Sequence, residues 1–113
     1  MLGAVNAART PHGLAPFRGS PSLHSSASAY ARWMLRSGHF GHVGRIRASG
    51  RFSMLGEVLA WHSGRRPQVL ATVRRWMGSP PHRALILHPG FRWLGAGMAR
   101  GGGTTAWVLH FGG

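Results

Sequence analysis

At 113 residues the chain is too short for two cores and long enough for one, so residues 1–113 read as a single domain. Its 43% hydrophobic content, with five Trp and five Phe, excludes wholesale disorder, and the lack of cysteine excludes disulfides, thiolate metal sites and thiol nucleophiles. Fourteen arginines against no lysine and one acid, Glu57, give a net charge of +13, which attracts nucleic acid, anionic lipid or other polyanions; a GC-rich coding bias explains the arginines equally well, since Ala, Gly and Pro are also abundant.

In chain order, Leu2, Val5 and Ala8 recur at helical spacing before Pro11 and Gly13, which predicts a short helix followed by an irregular stretch over 14–19. The opening lacks the charged start, apolar run and cleavage site of a secretory signal, and no segment approaches the ~18 apolar residues of a membrane span. A second helix follows: Ser20 is placed to cap it, Pro21 suits its first position, Leu23, Ala27, Tyr30 and Met34 share a face, and Gly38 stops it. Residues 38–50, rich in Gly, His and Arg, read as a loop with one helical turn over 43–48.

Residues 52–61 form an apolar run with Gly56 and Glu57 in its middle, a strand pattern more than a helical one. Pro67 opens a third helix with Val69, Leu70, Val73, Trp76 and Met77 as its stripe, and Gly78 ends it. Ser79 and Pro80 then start a further turn carrying His82, Leu85, Ile86 and Leu87. The tail reads as a hairpin, 91–99 and 104–111 around Gly101–Gly103. Helices first and a hairpin last give an α+β fold. The five tryptophans are expected in the core, Trp76 and Trp107 most strongly, and Gly95 and Gly97 follow no phosphate-loop pattern.

Several phrases in this order resemble the CAP (SCP-like) family of cysteine-rich secretory, antigen 5 and pathogenesis-related proteins, in its bacterial form. They are Asn6-Ala7-Ala8-Arg9 with Gly13-Leu14, Phe40-Gly41-His42, Leu55-Gly56-Glu57, Trp76-Met77-Gly78-Ser79-Pro80-Pro81-His82-Arg83, the glycines 95 and 97, and Trp107 to Gly112. The resemblance implies a three-layer α-β-α sandwich and an extracellular or cell-surface location. It also implies a cleft lined by His42, Glu57 and His82 that binds an unidentified small ligand, lipid, glycan or peptide. The chain departs from the family pattern where Val58 and Leu85 replace asparagines, and in having no second acid for the cleft.

Some members of that family hold a divalent metal between these residues. Two imidazoles and a carboxylate are suitable ligands for Zn²⁺ at about 2.0–2.2 Å and leave one position open. Separations of fifteen and twenty-five residues form no local metal motif, so the resemblance alone carries the trio. Glu57, a lone acid within an apolar run, demands a partner if buried, and an Arg, a His or a metal would each satisfy it. His39 is a bystander to the cleft, and His12, His24, His62, His88 and His110 are background.

Two functions therefore compete: a ligand-binding module with a metal-capable cleft, and a non-specific polyanion binder in which clusters such as Arg45, Arg47 and Arg51 or Arg65, Arg66, Arg74 and Arg75 grip phosphates. Sequence-specific DNA reading is not expected, because the segment after Ser79 spends its positions on Leu85, Ile86 and Leu87. Hydrolysis ranks last, since no nucleophile adjoins a base in any recognisable motif.

Overall fold

The first, second and last of the four predicted α-helices form where the punctuation predicts. The computed structural model describes residues 1–48, 50 and 52–113, so Arg51 lies outside the described residues. Helix α1 spans Leu2–Arg9 and inserts Val5 into the core, and a 3₁₀ turn, Thr10–His12, closes on Gly13 at φ 69°. The stretch expected to be irregular is instead pinned by Asn6, whose amide nitrogen donates to the Phe17 carbonyl at 3.1 Å while its oxygen accepts from the Phe17 N–H at 2.7 Å. That clamp delivers a two-residue strand, β1 (Arg18–Gly19), too short to leave a periodic signal. Arg9 is buried too, donating to the carbonyls of Ala15, Ile86 and His88 and lying over the Phe17 ring, so it ties the first helix to the chain after residue 86.

Helix α2 (Pro21–Ser37) begins where the Ser20 hydroxyl accepts from the Leu23 N–H at 3.2 Å and ends at Gly38, φ 73°. Its buried stripe is Leu23, Ala27, Ala31 and Met34; Tyr30, expected on that stripe, turns to the rim and is only half-buried. No helical turn forms over 43–48, where the backbone bends instead. The apolar run is an edge strand, β2 (Leu55–Ser63). Helix α3 (Val69–Met77) starts two residues beyond Pro67, after Gln68 in a left-handed conformation, and α4 covers Pro80–Ile86. Strands β3 (Trp93–Gly101) and β4 (Thr104–Gly112) form the predicted hairpin around Gly102 and Gly103, both at positive φ, as a tight two-residue turn requires.

The sheet runs β1-β3-β4-β2, antiparallel apart from the β1–β3 pair. Helix α2 covers one face, and α1, α3 and α4 cover the other, giving the three-layer α-β-α sandwich. Strand alternation splits the core accordingly: Val58, Ala60, Trp107, Leu109 and Phe111 face α1, α3 and α4, whereas Leu59, Ala106 and Val108 face α2. Trp76 and Trp107 are buried as expected, and their indole nitrogens donate to the carbonyls of Leu59 and Pro67 at 2.9 and 2.8 Å. Trp33 and Trp61 are not in the core: they are 42% and 44% exposed, stacked on Tyr30 and tilted against Phe40.

Trp33 lies off the buried stripe of α2 and Trp61 on the edge strand, and over β3 the helix rests too closely on the sheet to admit either. A Cβ at Gly95 would fall 2.0 Å from the Leu23 carbonyl carbon, and one at Gly97 would fall 2.3 Å from that of Ala27. Backbone lies on backbone, with Ala27 and Ala31 completing the seam, and no indole fits there. Gly95 and Gly97 are therefore packing glycines that allow close approach.

Candidate histidine–glutamate cleft

Glu57 and His110 are register partners across β2 and β4, and both point to the α2 face, opposite the Val58 and Leu109 side chains. Both are buried, with relative exposures of 9% and 1%. The His110 Nε2 lies 2.6 Å from Glu57 Oε2. Glu57 Oε1 accepts from the Val43 N–H at 2.9 Å and lies 2.9 Å from His42 Nδ1. The lone acid is thus satisfied by two histidines and one amide, and among the described residues no arginine pairs with it.

The cleft wall is the segment after α2, folded back over the edge strand. The Tyr30 hydroxyl donates to the Gly41 carbonyl, and Val43 reaches Glu57, so the bends at 41–45 hang from two bonds into the sandwich. These two ties take the place of the expected helical turn. On the other side, α2 settles on Gly95, the β3 partner of His110, and this brings Ser26 alongside: its Oγ lies 2.7 Å from His110 Nδ1 and 3.0 Å from the Leu23 carbonyl.

Burial pushes the Glu57 carboxyl up, but the bonds from His110, Val43 and His42 outweigh it and hold the group below the ordinary carboxylate range. It is ionised at neutral pH. A carboxylate only accepts, so the His110 nitrogen facing it carries a proton. Tyr30 is raised, first by burial and then by the Glu57 charge.

His82 stands on the first turn of α4 with its Nδ1 2.8 Å from Ser79 Oγ, a hydroxyl that consequently caps no backbone amide. Burial, the neighbouring His42 and Arg75 all lower its pKa, so it is neutral at pH 7. The structure thus bonds His42 to Glu57 and places His82 within electrostatic reach of His42, but gives it no bond to the carboxylate. His110, counted as background from the sequence, is Glu57's closest partner. The available signal was alternation: a histidine between Leu109 and Phe111 in an apolar strand must face opposite to both.

Both oxygens of Glu57 are committed to N–H donors, and among the described residues no three His, Cys, Asp or Glu side chains gather in a way that could hold a metal ion. The donor set expected for Zn²⁺ does not fit as a set; Glu57 orients the ring of His42 and does not present itself as a ligand.

Beside these groups opens a cavity of about 690 Å³, whose lining includes Ser26, Tyr30, Trp33, His42, Arg36 and Arg47. Its size is that of a small-molecule site. No helix is long and apolar enough to cross a membrane.

A small α-β-α sandwich with a histidine–glutamate cleft between its single-helix face and an overlying loop is the class defined by this geometry. The cysteine-rich secretory protein family model matches residues 2–111, and the chain belongs to that family, here without a cysteine. Similar solved structures include an outer surface protein of Borrelia burgdorferi (18% identity, TM-score 0.83, covering 98% of this chain and 87% of that one). An extracellular SCP-domain protein of Bacillus anthracis aligns at 20% identity and TM-score 0.79, over 96% of this chain and 37% of that one. Venom allergen-like protein 4 of Schistosoma mansoni aligns at 15% identity and TM-score 0.70, over 98% and 79%. No curated protein matches the chain in sequence.

Proposed function

We propose that this chain is a secreted or surface-located binding module whose cleft takes a small amphiphile: an apolar body carrying an anionic head. The observation that carries the reading is the cavity wall. Exposed Trp33 stacked on Tyr30, together with Ala29 and Ile46, gives the cavity apolar lining, while Arg36, Arg45 and Arg47 line the same cavity and the one acid is buried and already bonded. An arginine beside an indole suits a carboxylate or phosphate head above a hydrophobic tail. The location follows the family and the surface or extracellular relatives. Tryptophan fluorescence titrated with oleate and with oleyl alcohol tests it. Saturable binding of oleate, weakened by Trp33→Ala and by Arg47→Ser, is expected; equal response to the uncharged alcohol, or none to either, would refute the anionic-head reading.

A second reading rests on a separate observation. Every described arginine except Arg9 is exposed, and among the described residues none is paired with a carboxylate. Such a surface binds polyanions without sequence preference, with log affinity falling linearly in log salt. DNA binding by filter retention between roughly 50 and 200 mM salt should weaken 10-fold or more, and salt-independent affinity for one DNA sequence would overturn it.

A further inference from the structure

The geometry points to Ser26 as a nucleophile activated by His110 and Glu57, giving the cleft an ester-cleaving capacity distinct from simple binding. Three side chains separated by 84 and 53 positions in sequence form one chain of contacts: Ser26 Oγ 2.7 Å from His110 Nδ1, and His110 Nε2 2.6 Å from Glu57 Oε2. The carboxylate fixes the proton on Nε2, as argued above. In the neutral ring Nδ1 then holds a lone pair, and the Ser26 hydroxyl, shared between Nδ1 and the Leu23 carbonyl, is placed to donate to it. The chain is a nucleophile, a base and a carboxylate that orients the base, with the two ring nitrogens exchanged relative to the familiar triad.

Two further features separate this from a serine that merely satisfies a buried ring. Ser26 and His110 both line the cavity, and Ser26 is only half-buried. The Leu23 carbonyl, 3.0 Å from Ser26 Oγ, offers a second acceptor for the hydroxyl proton. When His110 is doubly protonated, the hydroxyl turns to Leu23 and accepts from Nδ1. The serine therefore has a resting partner in either protonation state of the base, and the relay closes without leaving a buried group unpaired.

The reaction is acyl transfer. Ser26 Oγ attacks the carbonyl carbon of an ester, and its proton passes to His110 Nδ1, forming an imidazolium held by Glu57. The tetrahedral intermediate collapses, the carbon–oxygen bond to the alcohol breaks, and the leaving alkoxide takes the proton from Nδ1. Water then attacks the acyl-serine by the same route, returning Ser26 and a free carboxylic acid. The acyl chain would lie on Ala29, Tyr30 and Trp33, and Arg36, Arg45 and Arg47, which line the same cavity, would supply positive charge to a developing oxyanion. The substrate class is a carboxylic ester with an apolar acyl group.

The test uses p-nitrophenyl butyrate and a fluorophosphonate, with the modified residue read by mass spectrometry. Turnover and one phosphonyl group, carried on Ser26, are expected. Ser26→Ala should lose the label and at least ~100-fold in turnover, the scale of general-base activation, while still unfolding cooperatively, at a somewhat lower temperature because His110 Nδ1 loses its partner. Ser25→Ala, which removes an exposed hydroxyl of the same cavity that bonds to no histidine among the described residues, should keep both. No label, a label on Ser25, or turnover that survives Ser26→Ala would overturn the assignment.

Discussion

Replacing Glu57 by Gln tests the hub of the site, and the structure gives the cost. Glu57 accepts a buried bond from His110 and a partly buried one from the Val43 N–H; the third, from a His42 ring whose side chain is 65% exposed, adds little. Hydrogen bonds to a charged group contribute about 1.5–3 kcal/mol each against about 0.5–1.5 for neutral ones, so the exchange costs ~1 kcal/mol for each of the first two bonds, ~2 kcal/mol in all. Gln is tolerated at that level because the network can adapt. Its oxygen still accepts from Val43, its amide donates to His110 Nε2, and the ring proton moves to Nδ1, which donates to Ser26 Oγ. Leu at this position offers no such rescue and strands the donors, at a cost of ~3–5 kcal/mol. Thermal and urea unfolding at pH 7 should show the Gln variant melting roughly 8–12 °C below the parent, with Leu well below that. A Gln variant within about 0.5 kcal/mol of the parent, or as damaged as Leu, would refute the bonding scheme; mutational noise is of that order.

Gly95→Ala should be among the most destabilising single changes, because the new Cβ meets backbone at 2.0–2.1 Å and α2 must lift; a loss beyond the ~1–3 kcal/mol of ordinary overpacking is expected. Gly3→Ala, where nothing lies within 4 Å, serves as the contrast and should be neutral or stabilising. In acid, the lowered Glu57 pKa means its contribution is fully present above the unfolded carboxylate pKa of ~4.3 and lost as pH falls through the lower folded value. The stability gap between the parent and Glu57→Gln should accordingly narrow below pH ~4.3, and a constant gap down to pH ~2 would contradict the pairing. Calorimetric zinc titration should fall far short of the ~10–16 kcal/mol of a complete zinc site; tight binding lost in Glu57→Gln would show that the carboxylate turns from His110 toward a metal.

Much of the fold was legible because it depends on local chemistry. Ser20 with Pro21, the stripe ending at Gly38, and the glycine turn at 102–103 each act within a few residues. The β1 strand was hidden because two residues have no period, and it exists only through the Asn6 clamp and its pairing with Trp93 and Leu94. Trp33 and Trp61 misled because size and hydropathy favour burial, whereas Trp33 lies off the buried stripe of α2, Trp61 stands on the edge strand, and the helix–sheet seam is closed to any side chain at Gly95 and Gly97. For the site, the pairing of Glu57 with His42 follows a family phrase, but His110 and Ser26 lie 53 and 31 positions from Glu57. Only the β2–β4 register and the descent of α2 onto Gly95 bring them together. A long-range pairing of that kind leaves no trace in spacing.

The central claim is that Glu57 holds a buried His110 with its proton on Nε2 and Nδ1 turned to Ser26. Long-range ¹H–¹⁵N correlation on imidazole-labelled protein, followed across pH to the neutral form of the ring, reads this directly. In that neutral form one ring with a protonated Nε2 and a hydrogen-bonded acceptor Nδ1 is expected, with loss of that signature in Glu57→Gln as the proton moves to Nδ1. A neutral His110 ring protonated on Nδ1 in the parent protein, or one unchanged by removing the carboxylate, would contradict it.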